Sequence, residues 1–390
     1  MMLKWLAIGI ILLFFGVTIA PPLNLYTVKA LDTEKSHSLS RGNWLYVGGS
    51  GPGNYTRIQD AIDNAYDWDT VFVYSGLYEE HIIIRNAIHL IGESKNTTII
   101  RDTNMSDEEI LIYLKHSYIM ISGFTLWCEG DMGTIISNVN SGVSITNTMI
   151  SNNTFKEVSA DFGIYLRDCD YSTITQNTFY LNHAKSIYLE SADYCFITNN
   201  HMIGVGSNGG IDLYLVLRSN ISNNSIISSA QGLTLTSSHS NTISNNYFFN
   251  NTQAIYLKSN SQNNSILLNY IDNPLWAIRH SPVLNGIYLI NNNFDTFIEK
   301  NFISHCKIGI IIEFSHNTVI SRNTFMNNTA HARFFNTNFF SNHWSENYWG
   351  RPRILPKPIL GIKEIDFIYP GFIEFDWHPA QEPYDIPGMD

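Results

Sequence analysis

The sequence has few charged residues and few cysteines, and each shortage argues against a class of protein. Only 15% of its 390 residues are charged, and its net charge of −11 comes without a run of lysine or arginine. Because nucleic acids are held mainly through basic contacts to phosphate, no nucleic-acid partner is expected. The four cysteines show no C-x-x-C spacing, so the common zinc motifs are absent.

The cysteines leave two interpretations open. Cys128, Cys169, Cys195 and Cys306 do not align within the repeat described below. They are either buried free thiols, or Cys169 and Cys195 form a disulfide bridge, which an exported protein permits.

The N-terminus predicts export. An almost unbroken apolar run over residues 6–20 follows Lys4 and precedes Pro21 and Pro22, which is the layout of a secretory signal. Cleavage after Ala30 and retention as an uncleaved membrane anchor both remain open, because residues 3–25 are nearly long enough to span a bilayer. We therefore predict a signal peptide or anchor at 1–30, a linker at 31–42, and a secreted or cell-surface location.

Asparagine recurs at one position of a repeat. The steps between successive copies are 22 to 24 residues, with one longer step of 32. Each copy has an apolar residue three positions before it and another two positions after it. A repeat this short cannot bury its own core, so neighbouring repeats must stack into a solenoid. The nine copies are Asn153, Asn177, Asn200, Asn224, Asn246, Asn269, Asn301, Asn323 and Asn347.

Each repeat contains three short strands. The first alternates apolar and outward-facing residues, as in residues 163–167 and 186–190, which is typical of a strand with one buried face. A second strand ends at the asparagine and a third follows it. Equivalent strands of successive coils then pair in parallel, and parallel crossovers are almost always right-handed. The sequence predicts an all-β, right-handed parallel β-helix of three sheets, in which inward asparagine amides bond from coil to coil.

Both ends of such a stack need a cap. Residues 55–65 place apolar side chains on one helical face, with Thr56 as the expected N-cap. The segment after the last repeat is rich in proline and aromatic residues, which suits an irregular cap. We predict a β-helix with its N-terminal cap over 43–350 and a C-terminal cap or tail over 351–390. The 32-residue step contains a loop over 273–282. This loop is either part of a functional surface or a surface insertion that the fold tolerates.

The opening and the repeats resemble a known group. Residues 43–49, 69–73 and 76–80 resemble the start of pectate-lyase-like β-helix proteins, and the G-I-x-L and N-T-I-S-N-N-x-F repeats resemble the NosD-like branch. Its repeats are also called carbohydrate-binding and sugar-hydrolase repeats. The tail over 375–385 resembles that of exported, largely archaeal members. The resemblance covers residues 43–349 and implies the fold. It leaves function open, since the group includes lyases, hydrolases, esterases, adhesins and a copper-related accessory protein.

A polysaccharide-active enzyme is one alternative. The characteristic segments of pectin methylesterases and polygalacturonases are absent. Glycoside hydrolysis usually needs two nearby carboxyl groups, and adjacent coils bring four acidic residues together as candidates. These catalytic candidates are Asp168, Asp170, Glu190 and Asp193.

Carbohydrate or cell-envelope binding is the function that we favour from the sequence. Tyrosines alternate with hydrogen-bonding residues along the outer face of the first strands, and such a surface suits the apolar faces and hydroxyls of sugars. The alternative is that the tyrosines only stabilise the sheet. The predicted ligand-binding residues are Tyr165, Arg167, Tyr188, Asp212, Tyr214 and Tyr256, within outward columns that also contain Thr234, Tyr288, Glu190, Thr236 and Lys258.

No cofactor is predicted. The histidines occupy different positions in their repeats, apart from His239 and His316, which lie several coils apart. A metal ion needs three or four converging ligands. A copper-related accessory protein therefore stays an alternative without predicted ligands, and the oligomeric state is open.

Overall fold

The computed structural model describes residues 42–102, 110–131, 133–159, 161–181, 184–206, 209–274, 284–337, 341–362 and 371–386. The predicted signal or anchor, the linker up to residue 41 and the insertion from residue 275 lie outside this part of the chain. Within it, no helix is both long enough and apolar enough to cross a membrane.

Three parallel sheets run along the axis of the described chain, and each coil contributes one strand to each of them. We call them sheet one, sheet two and sheet three, after the order of the strands in the predicted repeat. Sheet one contains Ile82–Ile84, Ile110–Leu114, Thr134–Ser137, Phe162–Arg167, Lys185–Asp193, Ile211–Leu217, Gln231–Thr236, Gln253–Lys258, Asn285–Ile290, Ile308–Glu313, Ala330–Phe335, Lys357–Ile362 and Gly371–Asp376. Sheet two contains Trp44–Val47, Thr70–Val73, His89–Gly92, Met120–Ser122, Met149–Ser151, Thr173–Thr175, Phe196–Thr198, Asn220–Ser222, Thr242–Ser244, Ser265–Leu267, Phe297–Glu299, Val319–Ser321 and His343–Ser345. Sheet three contains Gly76–Glu79, Thr98–Asp102, Thr125–Asp131, Thr154–Ser159, Thr178–Tyr180, His201–Gly206, Ser225–Ser229, Tyr247–Phe249, Tyr270–Asp272, Phe302–Ser304, Thr324–Met326 and Tyr348–Trp349.

This arrangement confirms the predicted right-handed parallel β-helix. Register is kept from coil to coil, as Ile150 pairs with Ile174 in sheet two and Phe155 with Phe179 in sheet three. The paired phenylalanine rings stack inside the helix with their centroids 4.5 Å apart. Burial of these apolar columns is the main term that holds one coil on the next.

The asparagine ladder has the predicted role. Asn200 donates its Nδ2 hydrogens to the carbonyl of Ile174, at 2.8 Å, and to Oδ1 of Asn224, at 3.0 Å. Its backbone N–H also donates to Oδ1 of Asn224, at 3.0 Å. The same pattern repeats along the buried ladder, so each amide satisfies backbone groups that the bend leaves unpaired.

The residue before each ladder asparagine lies in the left-handed region, with φ between 53° and 57°. This constraint is not evident from the sequence, because several residue types occupy the position. Few residues other than glycine adopt the conformation readily, and asparagine does so best among them. Four coils place asparagine there and five do not. The nine residues are Asn152, Gln176, Asn199, Asn223, Asn245, Leu268, Lys300, Arg322 and Glu346.

Lys300→Asn is therefore expected to stabilise the protein. Lys300 is exposed, with a φ of 54°, so the substitution should raise the free energy of unfolding by about 0.5–1 kcal/mol. Urea unfolding followed by circular dichroism measures the change. The reciprocal variant Asn245→Lys should lose a similar amount, and a stability that does not change in either variant would contradict the explanation.

Two of the cysteines lie at turns near further buried hydrogen bonds. The thiol of Cys195 donates to the carbonyl oxygen of Cys169 at 3.0 Å, and the N–H of Cys195 donates to Ser219 Oγ. All four cysteines are buried, and none of them forms a disulfide bond among the described residues. Of the two interpretations from the sequence, the structure thus agrees with the free thiols, because Cys195 faces a backbone carbonyl.

The N-terminal helix is shorter than predicted, Ile58–Asp63, and its cap is different. The expected N-cap, Thr56, is wrong: Arg57 occupies the position and makes no side-chain capping bond. Instead the buried Glu80 accepts the N–H groups of Ile58 and Gln59, at 2.9 and 3.0 Å. A carboxylate at this position accepts two backbone N–H groups that have no partner within the helix, and its charge complements the helix dipole. A residue distant in sequence therefore replaces the local cap.

The C-terminal segment is more regular than the sequence analysis expected. Lys357–Ile362 continues sheet one in parallel, and Gly371–Asp376 then pairs with it in antiparallel orientation. Asp376 is fully buried, and its Oδ2 accepts the N–H and Nδ2 groups of Asn347 at 3.0 and 3.2 Å. Asp376 thus takes the place that the next asparagine would have in the ladder.

Candidate functional site

The register of sheet one places the residues of the first predicted column side by side. Tyr165 lies beside Tyr188, and Tyr256 lies beside Tyr288. The column between these pairs is interrupted by Asp212 and by Thr234, which is only 1% exposed. The aromatic face is therefore two clusters rather than one continuous stripe.

The first cluster contains a ring that the prediction omitted. Tyr165 and Tyr188 meet edge to face with centroids 4.7 Å apart. Phe162, at the start of the same strand as Tyr165, lies 4.9 Å from its ring and 5.4 Å from that of Tyr188. The three rings form one half-buried apolar surface. Phe162 was missed because the alternating pattern was followed only from residue 163 onward.

Two ion pairs flank these rings. Arg167 Nη2 lies 2.9 Å from Glu190 Oε2 and also donates to the hydroxyl of Tyr165, at 2.8 Å. Lys185 Nζ lies 2.6 Å from Asp212 Oδ2 and 4.8 Å from the ring centroid of Tyr188. The pairs hold charged groups in fixed positions around the aromatic surface.

The electrostatic surroundings keep both phenols protonated. Burial raises the pKa of Tyr165 to about 12, and its hydrogen bond to Glu190 adds to the shift. Burial also raises the pKa of Tyr188 to about 12, with the charges of Glu190 and Asp212 contributing. Neutral phenols keep an O–H donor for hydrogen bonding.

A polar pocket adjoins the cluster. It has a volume of about 300 Å³ and is lined by the turn over residues 138–144 together with Arg167 and Asp168. Arg167 thus lines the pocket and also flanks the aromatic cluster, and 41% of its side chain remains exposed. Concavity beside a rigid aromatic surface is typical of ligand sites.

The second cluster lies farther along sheet one. The rings of Tyr256 and Tyr288 stack with centroids 5.2 Å apart, and Lys258 Nζ lies 5.6 Å from the ring of Tyr256. Tyr288 donates its hydroxyl hydrogen to Glu313. Burial and this carboxylate raise the pKa of Tyr288. Tyr214, another predicted ligand residue, lies between the clusters in the column of Glu190 and is half-buried.

The four candidate catalytic carboxylates do not act as one group. Glu190 pairs with Arg167, and Asp193 pairs with Arg218. Asp170 accepts the backbone N–H of Asp193 at 2.8 Å. Asp168 is exposed at the rim of the polar pocket, in a left-handed turn. Each group therefore has its own surroundings, and catalysis by any of them stays an untested hypothesis.

A metal ion needs three or four side chains that converge on it. No group of three or more histidine, cysteine, aspartate or glutamate side chains comes together in this part of the chain. Such side chains meet only as pairs in the described residues, such as His81 with Asp102 and His305 Nδ1 with Asp272 Oδ1, the latter at 2.8 Å. His239 accepts the N–H of Gln262, and His316 stacks on Phe294. The described residues therefore do not fit a copper site, which needs three or four converging ligands.

Comparison with known proteins agrees with this architecture. The NosD family model, described as a periplasmic copper-binding protein, matches residues 95–277. A family described as periplasmic is consistent with an exported protein. A comparison with curated proteins gave no match.

Among solved structures, the chain is similar to three proteins that share its fold. For DFA-IIIase from Arthrobacter chlorophenolicus A6, without its lid and in complex with GF2, the TM-score is 0.56 at 11% identity, over 78% of this chain and 94% of that one. For the A-module of the mannuronan C-5 epimerase AlgE4 from Azotobacter vinelandii, the TM-score is 0.51 at 13% identity, over 74% of this chain and 89% of that one. For XylC in complex with xylose, the TM-score is 0.52 at 11% identity, over 73% of this chain and 76% of that one. The chain is thus a right-handed parallel β-helix protein that is similar to the NosD family over residues 95–277.

Proposed function

We propose that this protein is an exported β-helix that binds carbohydrate on the outer face of sheet one. The observation that carries the proposal is the first cluster together with the polar pocket that shares Arg167 with it. Aromatic rings bind the apolar faces of sugars, while fixed polar groups around them bind hydroxyls. The structural neighbours described above, a mannuronan epimerase and proteins in complex with GF2 or xylose, favour the same ligand class.

The arrangement of the two clusters favours a polymer over a single sugar. From Tyr188 the column passes Asp212 and Thr234 before it reaches Tyr256. Three steps of one strand spacing correspond to about 14 Å along the axis. An extended polysaccharide or envelope glycan that lies along sheet one can contact both clusters.

Glycan-array and calorimetric binding test the proposal. The double variant Tyr165→Ala and Tyr188→Ala removes two rings of the first cluster and should weaken binding at least tenfold, since each aromatic contact contributes about 1 kcal/mol. Tyr171 and Tyr194 provide a matched control, because they stack 5.2 Å apart outside sheet one in the same two coils.

The control double variant, Tyr171→Ala and Tyr194→Ala, should bind within about twofold of the wild type, in accordance with the small effect of residues outside a binding site. Equal binding by the wild type and the Tyr165/Tyr188 variant would overturn the proposed site. Absence of binding to every glycan on the array would overturn the proposed function.

A further inference from the structure

A second pocket lies at the C-terminal end of the β-helix, away from sheet-one residues 162–190. It forms where the last strand of sheet two, His343–Ser345, meets the strand Gly371–Asp376 and the residue after it. Its volume is about 490 Å³, which is within the range of small-ligand sites. Trp344, Phe375 and Trp377 supply aromatic lining, while His343 and Glu374 supply polar groups.

The tryptophan at the edge of this pocket is exposed. Trp377 is 63% exposed, and its ring lies 5.0 Å from that of Phe375. Burying an exposed aromatic surface under an apolar ligand face is favourable. The pair therefore offers a platform for a flat ligand with an apolar face.

Glu374 is the buried carboxyl group that lines this pocket. It is only 4% exposed, and its Oε2 accepts the indole N–H of Trp344 at 2.6 Å. Its Oε1 is buried and makes no hydrogen bond of acceptable geometry among the described residues, although the N–H groups of Asn342 lie close enough to act on the carboxyl group. Such an atom costs about 1–3 kcal/mol unless a donor reaches it. A ligand hydroxyl is a suitable donor.

The surroundings of Glu374 favour an uncharged ligand. Burial raises the pKa of its carboxyl group, and the N–H groups of Trp344 and Asn342 oppose the shift. The described lining contains no lysine or arginine that could neutralise an anionic sugar. A neutral hydroxyl can approach the carboxyl group in either protonation state.

We propose that this pocket binds one uncharged sugar unit, with its ring stacked on Trp377 and a hydroxyl group paired with Glu374. The site is independent of the one on sheet one, since the two have no residue in common. A polysaccharide-binding protein with this pocket has a separate position for a single sugar unit, such as the end of a chain.

Saturation-transfer NMR and calorimetry with a panel of neutral monosaccharides test the pocket on the full chain. Wild-type protein should bind at least one of them, and Trp377→Ala should weaken that binding at least tenfold. Glu374→Gln keeps an acceptor for Trp344 and should weaken binding about fivefold or more. Trp68→Ala is the matched control, because Trp68 is 52% exposed near the opposite end of the described chain.

The possible results separate the two sites. If monosaccharide binding is lost in the Trp377→Ala variant but not in the Tyr165/Tyr188 variant, the result supports the C-terminal pocket. This holds whether or not the proposed function on sheet one is correct. Unchanged binding in Trp377→Ala, or no binding of any monosaccharide by the wild type, overturns the pocket. Because Trp377 is exposed, this variant decides the question even if Glu374→Gln impairs folding.

Discussion

Asn246→Ala is expected to lower the free energy of unfolding by about 3–5 kcal/mol. Asn246 is 1% exposed, and its Nδ2 donates to the carbonyl of Ile221 at 2.8 Å. Its Oδ1 accepts the N–H of Asn224 at 3.0 Å. Alanine leaves the N–H of Asn224 buried without this acceptor and removes one hydrogen bond to the carbonyl of Ile221, and a buried group without a partner costs about 1–3 kcal/mol.

Urea unfolding followed by circular dichroism measures this loss, and the adjacent residue supplies the control. Asn245 is exposed and left-handed, with a φ of 55°, so Asn245→Gly should change stability by less than about 0.5 kcal/mol. A loss in Asn246→Ala no larger than in Asn245→Gly would mean that the ladder amides contribute no net hydrogen-bond energy.

The ladder could be predicted because one residue type recurs at one position. Other buried turn bonds escaped prediction because their acceptors differ from coil to coil. Thr148 N–H donates to the hydroxyl of Ser172, whereas Ser219 N–H donates to the amide oxygen of Asn241. Serine and asparagine satisfy the same backbone group there, so no single-residue period marks the position.

The candidate site could be predicted in part for a similar reason. Period two assigned Tyr165 and Tyr188 to one outward column, because strand alternation is local. Lys185 was missed, although its Nζ lies 4.8 Å from the ring of Tyr188. The C-terminal pocket was missed because it depends on Gly371–Asp376 returning over the last coil, a non-local pairing that no repeat predicts.

The end of the ladder gives the second large expected effect. Asp376 Oδ2 accepts three hydrogen bonds, from the N–H and Nδ2 groups of Asn347 and from the indole N–H of Trp349 at 3.0 Å. Its Oδ1 accepts the N–H of His378 at 3.2 Å. Asp376→Ala should therefore lower the free energy of unfolding by about 3–5 kcal/mol, as measured by urea unfolding.

Two variants calibrate that loss. Asp376→Asn keeps an amide oxygen like those of the other ladder positions and gives up the acceptor for His378, so its loss should be about 1 kcal/mol. Asp385 is exposed, and Asp385→Ala should change stability by less than about 0.5 kcal/mol. If the Asp376→Ala and Asp385→Ala variants were equally stable, the hydrogen bonds of Asp376 at the end of the ladder would contribute nothing to the free energy of unfolding.

The same variant also connects the ladder to binding. Glu374 lies two residues before Asp376 on one strand, and Trp377 follows it directly. Loss of the Asp376 hydrogen bonds should loosen this strand, and faster amide hydrogen exchange over residues 371–377 would report it. Because the pocket is built on that strand, monosaccharide binding should weaken in Asp376→Ala while polysaccharide binding at Tyr165 and Tyr188 persists. A ladder of structural amides would then support function at its end, by fixing the strand on which the second pocket depends.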